Sequence, residues 1–107
     1  MFKWLKNKAA ERSGKNAAIS TRTLVTIANG ANQRLIDSNG KINPEDVKSV
    51  SSAQNSLLID IDFAISNGMT INEVINDYIR PTLNGLNASE GAIKSINHVL
   101  SYRGGNL

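Results

Sequence analysis

Two pairs of carboxylates and one imidazole are the side chains that could do chemistry in this 107-residue chain. Asp60 and Asp62 are two residues apart, and on a β-strand this spacing puts both carboxylates on one face, as general acid–base catalysis needs. On an α-helix the same spacing turns the two side chains about 200° apart, so they cannot share a substrate. His98 is the only histidine, and a chain without cysteine offers it no partner for a zinc site. The chemistry of these groups therefore depends on the elements that carry them.

Glu73 and Asp77 are four residues apart, a spacing that brings two side chains together on one face of a helix. Like charges at this spacing destabilise a helix slightly unless a cation lies close to them. The pair is interpreted as an acidic docking patch for a basic partner, such as the first helix of a second copy. A solvated acidic face is the alternative.

The segment from Asp37 to Asp46 has part of the spacing of a calcium-binding loop. The first ligand position of that loop falls on Leu35, however, and leucine cannot bind calcium. The glycine-rich loop that holds phosphates after a strand is also missing from the sequence. We therefore expect no metal, no cofactor, no small-molecule substrate and no enzymatic activity.

The positive charge of the chain is concentrated at its beginning. Residues 1–34 carry seven basic side chains and one acidic side chain, whereas residues 35–107 carry five basic and eight acidic ones, so the net charges are +6 and −3. A basic end of this kind can meet phosphates, anionic lipid headgroups or the acidic part of a second copy. The residues expected to make these contacts are Phe2, Lys3, Trp4, Leu5, Lys6, Lys8, Arg12 and Lys15.

The spacing of apolar residues predicts an all-α protein, a small bundle of four main helices preceded by a short basic amphipathic helix. The short helix covers 2–12 and Ser13-Gly14 is expected to break it. This break divides the chain into a basic arm over 1–14 and a single helical domain over 15–107. The main helices are expected over 16–37, from Asn43 to about Ser66, from Thr70 to about Arg80, where Pro81 ends the helix, and after Asn87.

Two Asn-Gly pairs keep an α+β alternative open. Asn29-Gly30 and Asn67-Gly68 are typical turns of β-hairpins, and apolar residues alternate with other residues over 57–66 as they do in a strand. The helix start at Asn43-Pro44 and the capping box that begins at Thr70 favour helices on both sides of that segment.

The segment 57–65, taken as a helix, is apolar nearly all round. Ile59 and Phe63 lie opposite its main apolar stripe, so this helix is either central in the bundle or shared with a second chain, and we favour the shared face. With Glu73 and Asp77 they make up the predicted partner interface.

These features predict a non-enzymatic helical protein of interaction or assembly that associates with itself, of a kind that suits a structural or inhibitory protein of a phage or mobile element. One alternative is a nucleic-acid-binding protein that uses the basic N-terminal third of the chain. The other is a peripheral membrane-surface protein anchored by Phe2, Trp4 and Leu5. No apolar run approaches the roughly 20 residues of a membrane span, and no apolar segment of a cleaved signal follows the basic start. We therefore expect a cytoplasmic or virion-associated protein, with the inner face of a membrane as the alternative.

Overall fold

The structure is a computed structural model that describes residues 2–107, with side chains described from Asn7 onward. The described chain is all-α, with helices α1 (Phe2–Asp37), α2 (Pro44–Ser66), α3 (Ile71–Val74), a π-helical segment (Ile75–Ile79), α4 (Arg80–Asn84) and α5 (Glu90–Ser101). The three elements α3, the π-helical segment and α4 follow one another without a gap and form one helical stretch. The predicted small all-α bundle is therefore confirmed for the described residues.

Helix α1 continues through Ser13 and Gly14, so the break expected there is wrong. A helical glycine costs about 1 kcal/mol, but burial of the surrounding surface outweighs that cost here. Gly14 is buried against the ring of Tyr78, and Ala10 and Ala17 are buried on either side of it. The division into an arm over 1–14 and a domain over 15–107 stays a prediction, because a continuous helix can still carry a segment that acts separately.

Neither Asn-Gly pair forms a hairpin, so the α+β alternative is wrong. Asn29 lies inside α1. Its side-chain Nδ2 donates to the backbone carbonyl of Asn87 at 2.9 Å, and its side-chain Oδ1 accepts the Ser89 N–H at 2.8 Å. Gly68 lies just after α2 with φ of 101°, a backbone conformation that favours glycine, and the Met69 N–H bonds to the carbonyl of Ala64 at 3.0 Å. The first pair therefore ties α1 to the start of α5, and the second ends a helix.

Pro81 does not end its helical stretch, which continues to Asn84. Proline removes one N–H donor, and its ring clashes with the carbonyl four residues before it in an α-helix. The π-helical segment directly precedes Pro81, and Arg80 donates its N–H to the carbonyl of Ile75, five residues back. This wider turn makes room for the ring, which explains why the predicted end at Arg80 is wrong. The capping box at Thr70, by contrast, is confirmed.

Helices α1 and α2 lie side by side and run antiparallel. The Ser20 hydroxyl donates to Asp60, and the Arg34 guanidinium contacts Asp46 at 2.7 Å. In both pairs the two residue numbers add up to 80. A residue of α1 therefore lies at the same height along the hairpin as the residue of α2 whose number completes that sum. Helix α5 packs against both helices on one side of this hairpin. The core between them is aliphatic, and its largest fully buried residues are Leu24, Leu57, Ile61, Val74, Ile75, Ile79, Ile96, Val99 and Leu100.

A bidentate ion pair connects Arg103, which follows α5, to Asp62 of α2. The Nε and Nη2 atoms of Arg103 donate to the two carboxylate oxygens of Asp62 at 2.6 and 2.8 Å. The hydrogen bond from Arg103 lowers the pKa of Asp62 below its usual 3.8. A carboxyl whose pKa falls on folding stabilises the protein above its unfolded pKa, and that contribution is lost as the pH falls through the folded pKa.

We therefore expect Asp62→Asn to lower the free energy of unfolding at pH 6. The gap between the variant and the wild type should narrow as the pH falls below about 4, since the unfolded carboxyl takes up a proton there and the folded carboxyl, whose pKa is lower, does so only at lower pH. Urea unfolding at pH 6 and at pH 3 measures the gap. Equal gaps at both pH values would show that the charge of Asp62 contributes nothing.

Candidate self-association surface

Ile59 and Phe63, the two apolar residues of the predicted interface, are both exposed in the structure. The exposed fractions are 55% for Ile59 and 58% for Phe63, although Leu57 and Ile61 on the same helix are fully buried. Since Ile59 and Phe63 are four residues apart, they lie together on the face of α2 that points away from the core.

Helix α2 carries a second stripe beside its buried one. Its members are three or four residues apart and all are exposed, in the order Ser49, Ser52, Ser56, Ile59 and Phe63. This 3–4 spacing is the one that places side chains along a seam between packed helices. The first three positions of the stripe are small and the last two are large.

The small positions open a groove between α1 and α2. This groove has a volume of about 410 Å³ and is lined by Ser49, Ser52 and Ser56 from α2 and by Ser20, Thr23 and Ile27 from α1. Three of its hydroxyl groups, those of Ser20, Thr23 and Ser56, donate hydrogen bonds within the fold. The Ser56 hydroxyl donates to the carbonyl of Ser52 at 3.2 Å, and the Thr23 hydroxyl donates to the carbonyl of Ile19 at 3.2 Å.

Helix α1 adds a third large apolar residue to this surface. Ile19 is 64% exposed and lies next to Ser20, whose bond to Asp60 places it at the height of Ile59. We call the surface made by Ile19, Ile59, Phe63 and the serine-lined groove the outer face. Large apolar side chains occupy one end of the outer face, and small side chains occupy the other.

Three of the predicted N-terminal contact residues lie on one side of α1. Lys8, Arg12 and Lys15 are exposed and are spaced by four and three residues, and Ile19 continues the same spacing. The Lys15 ammonium also lies 3.2 Å from the carboxylate of Glu11. The other five, Phe2, Lys3, Trp4, Leu5 and Lys6, lie outside the residues whose side chains are described.

Glu73 and Asp77 are exposed but lie away from the outer face. The Glu73 carboxylate accepts the Thr70 N–H at 3.1 Å in the capping box, and it lines a cavity together with Asn7 of α1 in the same chain. Arg80, the cation closest to this pair in sequence, donates to Asn76 at 2.6 Å. Glu73 is thus near the beginning of its own α1, and the role of the acidic pair as a docking patch stays a prediction.

The carboxylates Asp60 and Asp62 make separate contacts. Asp60 accepts the hydroxyl of Ser20 on α1, and Asp62 binds Arg103 at the chain end. The helix therefore separates them, as their spacing on an α-helix requires, and they do not face one substrate.

His98 and the tip of the hairpin are also engaged in structural contacts. The Nε2 atom of His98 is 3.1 Å from the Tyr102 hydroxyl, with the two rings edge to face at 5.1 Å. Arg34 binds both carboxylate oxygens of Asp46, and this hydrogen bonding lowers the Asp46 pKa. Within residues whose side chains are described, no three histidine, cysteine, aspartate or glutamate residues come together in a way that could hold a metal ion.

The sequence interpretation found the large residues of α2 and missed the rest of the outer face. The sequence interpretation did not identify Ser49, Ser52 and Ser56, because serines give no hydrophobic signal. It did not identify Ile19 as part of this surface, because only the pairing of α1 with α2 brings Ile19 beside Ile59. The signal that could have found the serines is their 3–4 spacing, which continues without interruption to Ile59 and Phe63.

The part of the chain that the structure describes contains no helix long and apolar enough to cross a membrane. The chain matches no protein family, no curated protein and no solved structure.

Proposed function

We propose that this is a non-enzymatic assembly protein whose outer face binds the outer face of a second copy. The observation that carries the proposal is self-complementarity, because the face has large apolar side chains at one end and a groove of small side chains at the other. In a two-fold symmetric dimer each copy presents the same surface to the other, so such a surface must fit itself.

The spacing along α2 sets the register of this dimer. When two copies of α2 pack antiparallel about a point midway between Ser56 and Ile59, Phe63 of each copy lies over Ser52 of the other. Ile59 then lies over Ser56 of the other copy, and on the neighbouring helix Ile19 lies over Thr26, which is exposed. Large residues thereby face small ones, which is how the side chains of packed helices interdigitate.

Burial of the three large side chains supplies the binding energy. Full burial of an exposed Ile or Phe contributes about 1.5–3 kcal/mol, and the symmetry of the dimer counts each residue twice. The groove adds little polar cost, because the hydroxyls of Ser56 and Thr23 donate to carbonyls of their own helices. Burial of the outer face therefore combines this apolar gain with the desolvation of the two other serines of the groove, Ser49 and Ser52.

The charge of α1 supports the same arrangement. In an antiparallel pair of α1 helices, the basic stripe of Lys8, Arg12 and Lys15 on one copy extends along the other end of α1 in the second copy. That end carries the exposed Asp37. Opposite charges in such positions speed the encounter of the two copies and favour this orientation over a parallel one.

A cysteine placed near the two-fold axis tests this register. The natural chain has no cysteine. In the proposed dimer, Ser56 of one copy lies within one helical turn of Ser56 of the other copy. Ser56→Cys should therefore form an intermolecular disulfide on mild oxidation. The matched control is Ser51→Cys, which is exposed on another side of α2 and should stay monomeric on a non-reducing gel.

Light scattering during size-exclusion chromatography of the natural chain completes this test. A dimer together with a disulfide at Ser56→Cys and none at Ser51→Cys supports the proposal. A monomeric natural chain, or equal cross-linking at both positions, overturns it.

Nucleic-acid binding is the second candidate function, and the exposed stripe of Lys8, Arg12 and Lys15 is the observation that favours it. Binding to phosphates through lysine and arginine weakens steeply with added salt, whereas association through apolar surface does not. Repeating the same chromatography at low and high salt, with absorbance at 260 and 280 nm, therefore separates the two functions.

A further inference from the structure

Four asparagines of this chain are each followed directly by a glycine, and none of the four belongs to the outer face. The four pairs are Asn29-Gly30, Asn39-Gly40, Asn67-Gly68 and Asn84-Gly85. Asparagine is one of the thermally labile residue types, and glycine has no Cβ atom to shield its own backbone nitrogen. The structure around each pair therefore decides which asparagine is open to reaction.

The reaction is deamidation by the backbone of the chain itself. The backbone nitrogen of the glycine gives up its proton and attacks the side-chain Cγ of the asparagine. A bond forms between this nitrogen and Cγ, the bond between Cγ and Nδ2 breaks, and Nδ2 takes up the proton and leaves as ammonia. One water molecule then opens the five-membered imide, which gives aspartate or isoaspartate. The attack requires a glycine N–H without a firm hydrogen bond and a backbone that can turn towards the side chain.

Asn29 is protected on both counts. It lies inside α1, where hydrogen bonding within the helix occupies the N–H of Gly30. Its side-chain Nδ2 and Oδ1 are bonded to Asn87 and Ser89. Neither the attacking nitrogen nor the side chain of this pair is free to move towards the other.

Asn67 is held by hydrogen bonds on both sides of the reacting atoms. Its side-chain Nδ2 donates to the carbonyl of Phe63 at 2.8 Å. The Gly68 N–H donates to the carbonyl of Ile65 at 3.0 Å. The end of α2 must therefore open before Asn67 can react.

Asn39 lies in a tightly bonded turn after α1. The Gly40 N–H donates to the carbonyl of Leu35 at 2.8 Å, and the Ser38 hydroxyl donates to the carbonyl of Lys41 at 3.0 Å. These bonds span both sides of the pair and restrict rotation of its backbone.

Asn84 lacks these restraints. It is exposed, and no residue with a described side chain hydrogen-bonds to its amide. The Gly85 N–H donates to the carbonyl of Thr82 at 3.2 Å, the longest of the glycine bonds in the three turns. Helix α4, which ends at Asn84, contains no buried residue. Segments with few buried apolar contacts open most often, so the Gly85 nitrogen is the one most often released.

We propose that Asn84 is the site at which the folded chain deamidates spontaneously. The reaction takes place within one copy and needs only water, so it does not depend on the outer face or on any partner. Isoaspartate at residue 84 adds one carbon atom to the backbone inside the turn from Thr82 to Gly85, so the hydrogen bond that closes this turn is lost. The segment 85–89, which leads to α5, is thereby expected to open more often in the modified chain.

The experiment ages the natural chain in warm, mildly alkaline buffer and follows each Asn-Gly pair by proteolysis and mass spectrometry. In the folded chain, Asn84 is expected to react at least about tenfold faster than Asn29, because α1 opens far less often than the turn after α4. The same chain unfolded in guanidinium chloride is the control. All four pairs should then react at similar rates, since the restraints of the fold are gone.

The variant Gly85→Ala tests the attacking nitrogen without disturbing the fold. A Cβ atom at Gly85 meets only the carbonyl oxygen of Thr82, at 3.7 Å, and the backbone φ of −93° suits alanine. The methyl group hinders the approach of the backbone nitrogen to Cγ. We therefore expect deamidation of Asn84 to slow at least about tenfold, while Asn39 reacts as it does in the natural chain.

Three outcomes overturn the proposal. The first is that Asn39 or Asn67 reacts as fast as Asn84 in the folded chain. The second is that Asn84 keeps its lead in guanidinium chloride, because the local sequence and not the fold then selects it. The third is that Gly85→Ala leaves the rate at Asn84 unchanged. Hydrogen exchange of the aged chain tests the effect of the product, and equal exchange over 85–89 before and after ageing contradicts the expected opening.

Discussion

The double variant Ile59→Asp, Phe63→Asp is expected to lose two-fold dimerisation at concentrations where the natural chain is a dimer. The change removes four apolar side chains from the symmetric interface, each contributing about 1.5–3 kcal/mol when fully buried. It also places carboxylates where the two outer faces meet, and burial of an unpaired charge costs more still. Since every 1.4 kcal/mol is a factor of ten, the dissociation constant should rise at least about 1,000-fold. Sedimentation velocity over a range of concentrations measures this rise.

The matched control for this prediction is Ile36→Asp. Ile36 is 60% exposed on α1 and lies outside the outer face, so the same chemical change there should leave the dimer intact. Because Ile59 and Phe63 are exposed within one copy, circular dichroism should show an unchanged helical fold in the double variant. A dimer that survives the double change, or one that Ile36→Asp dissociates equally, would refute the outer face as the interface.

The sequence predicted those features of the fold that depend on neighbouring residues. A helix start needs only a capping side chain and the next few N–H groups, which is why Asn43 and Thr70 were found. The end of α2 at Ser66 was found for the same reason, since Gly68 supplies the backbone conformation that closes the helix.

The sequence failed where a residue distant along the chain decides the local conformation. Gly14 was expected to break a helix, yet contact with Tyr78 makes it part of the core. Pro81 was expected to end one, yet the π-helical turn before it accommodates the ring. The helix propensities of glycine and proline describe neither the contact with Tyr78 nor the π-helical turn.

The candidate site divides in the same way. The exposure of Ile59 and Phe63 follows from their position opposite the apolar stripe of one helix, so the sequence contained it. The pairing of α1 with α2 does not follow from either helix alone, and it brings Ile19 and the serines of α2 to one surface. The start of α5 likewise depends on a distant residue, because the Ser89 N–H donates to the side-chain carbonyl of Asn29 on α1.

The replacement Gly14→Ala is expected to destabilise the protein by about 1–3 kcal/mol, the usual cost of overpacking a core. A Cβ atom at Gly14 would overlap the ring of Tyr78, so the ring must leave its place between α1 and the π-helical segment. The matched replacement is Gly30→Ala in the same helix, where the new Cβ meets only the Arg34 guanidinium, at 3.3 Å. Both changes remove the same helical cost of glycine, so Gly30→Ala should stabilise the protein by up to about 1 kcal/mol.

The opposite signs of the two changes isolate the contact between Gly14 and Tyr78. Urea unfolding of both variants measures them, and a third variant tests the cause. In a Tyr78→Ala background the overlap is gone, so Gly14→Ala should change from destabilising to stabilising, by up to about 1 kcal/mol. If Gly14→Ala destabilises equally with and without the Tyr78 ring, the ring is not what requires a glycine at this position, and the close approach of α1 to the π-helical segment has another cause.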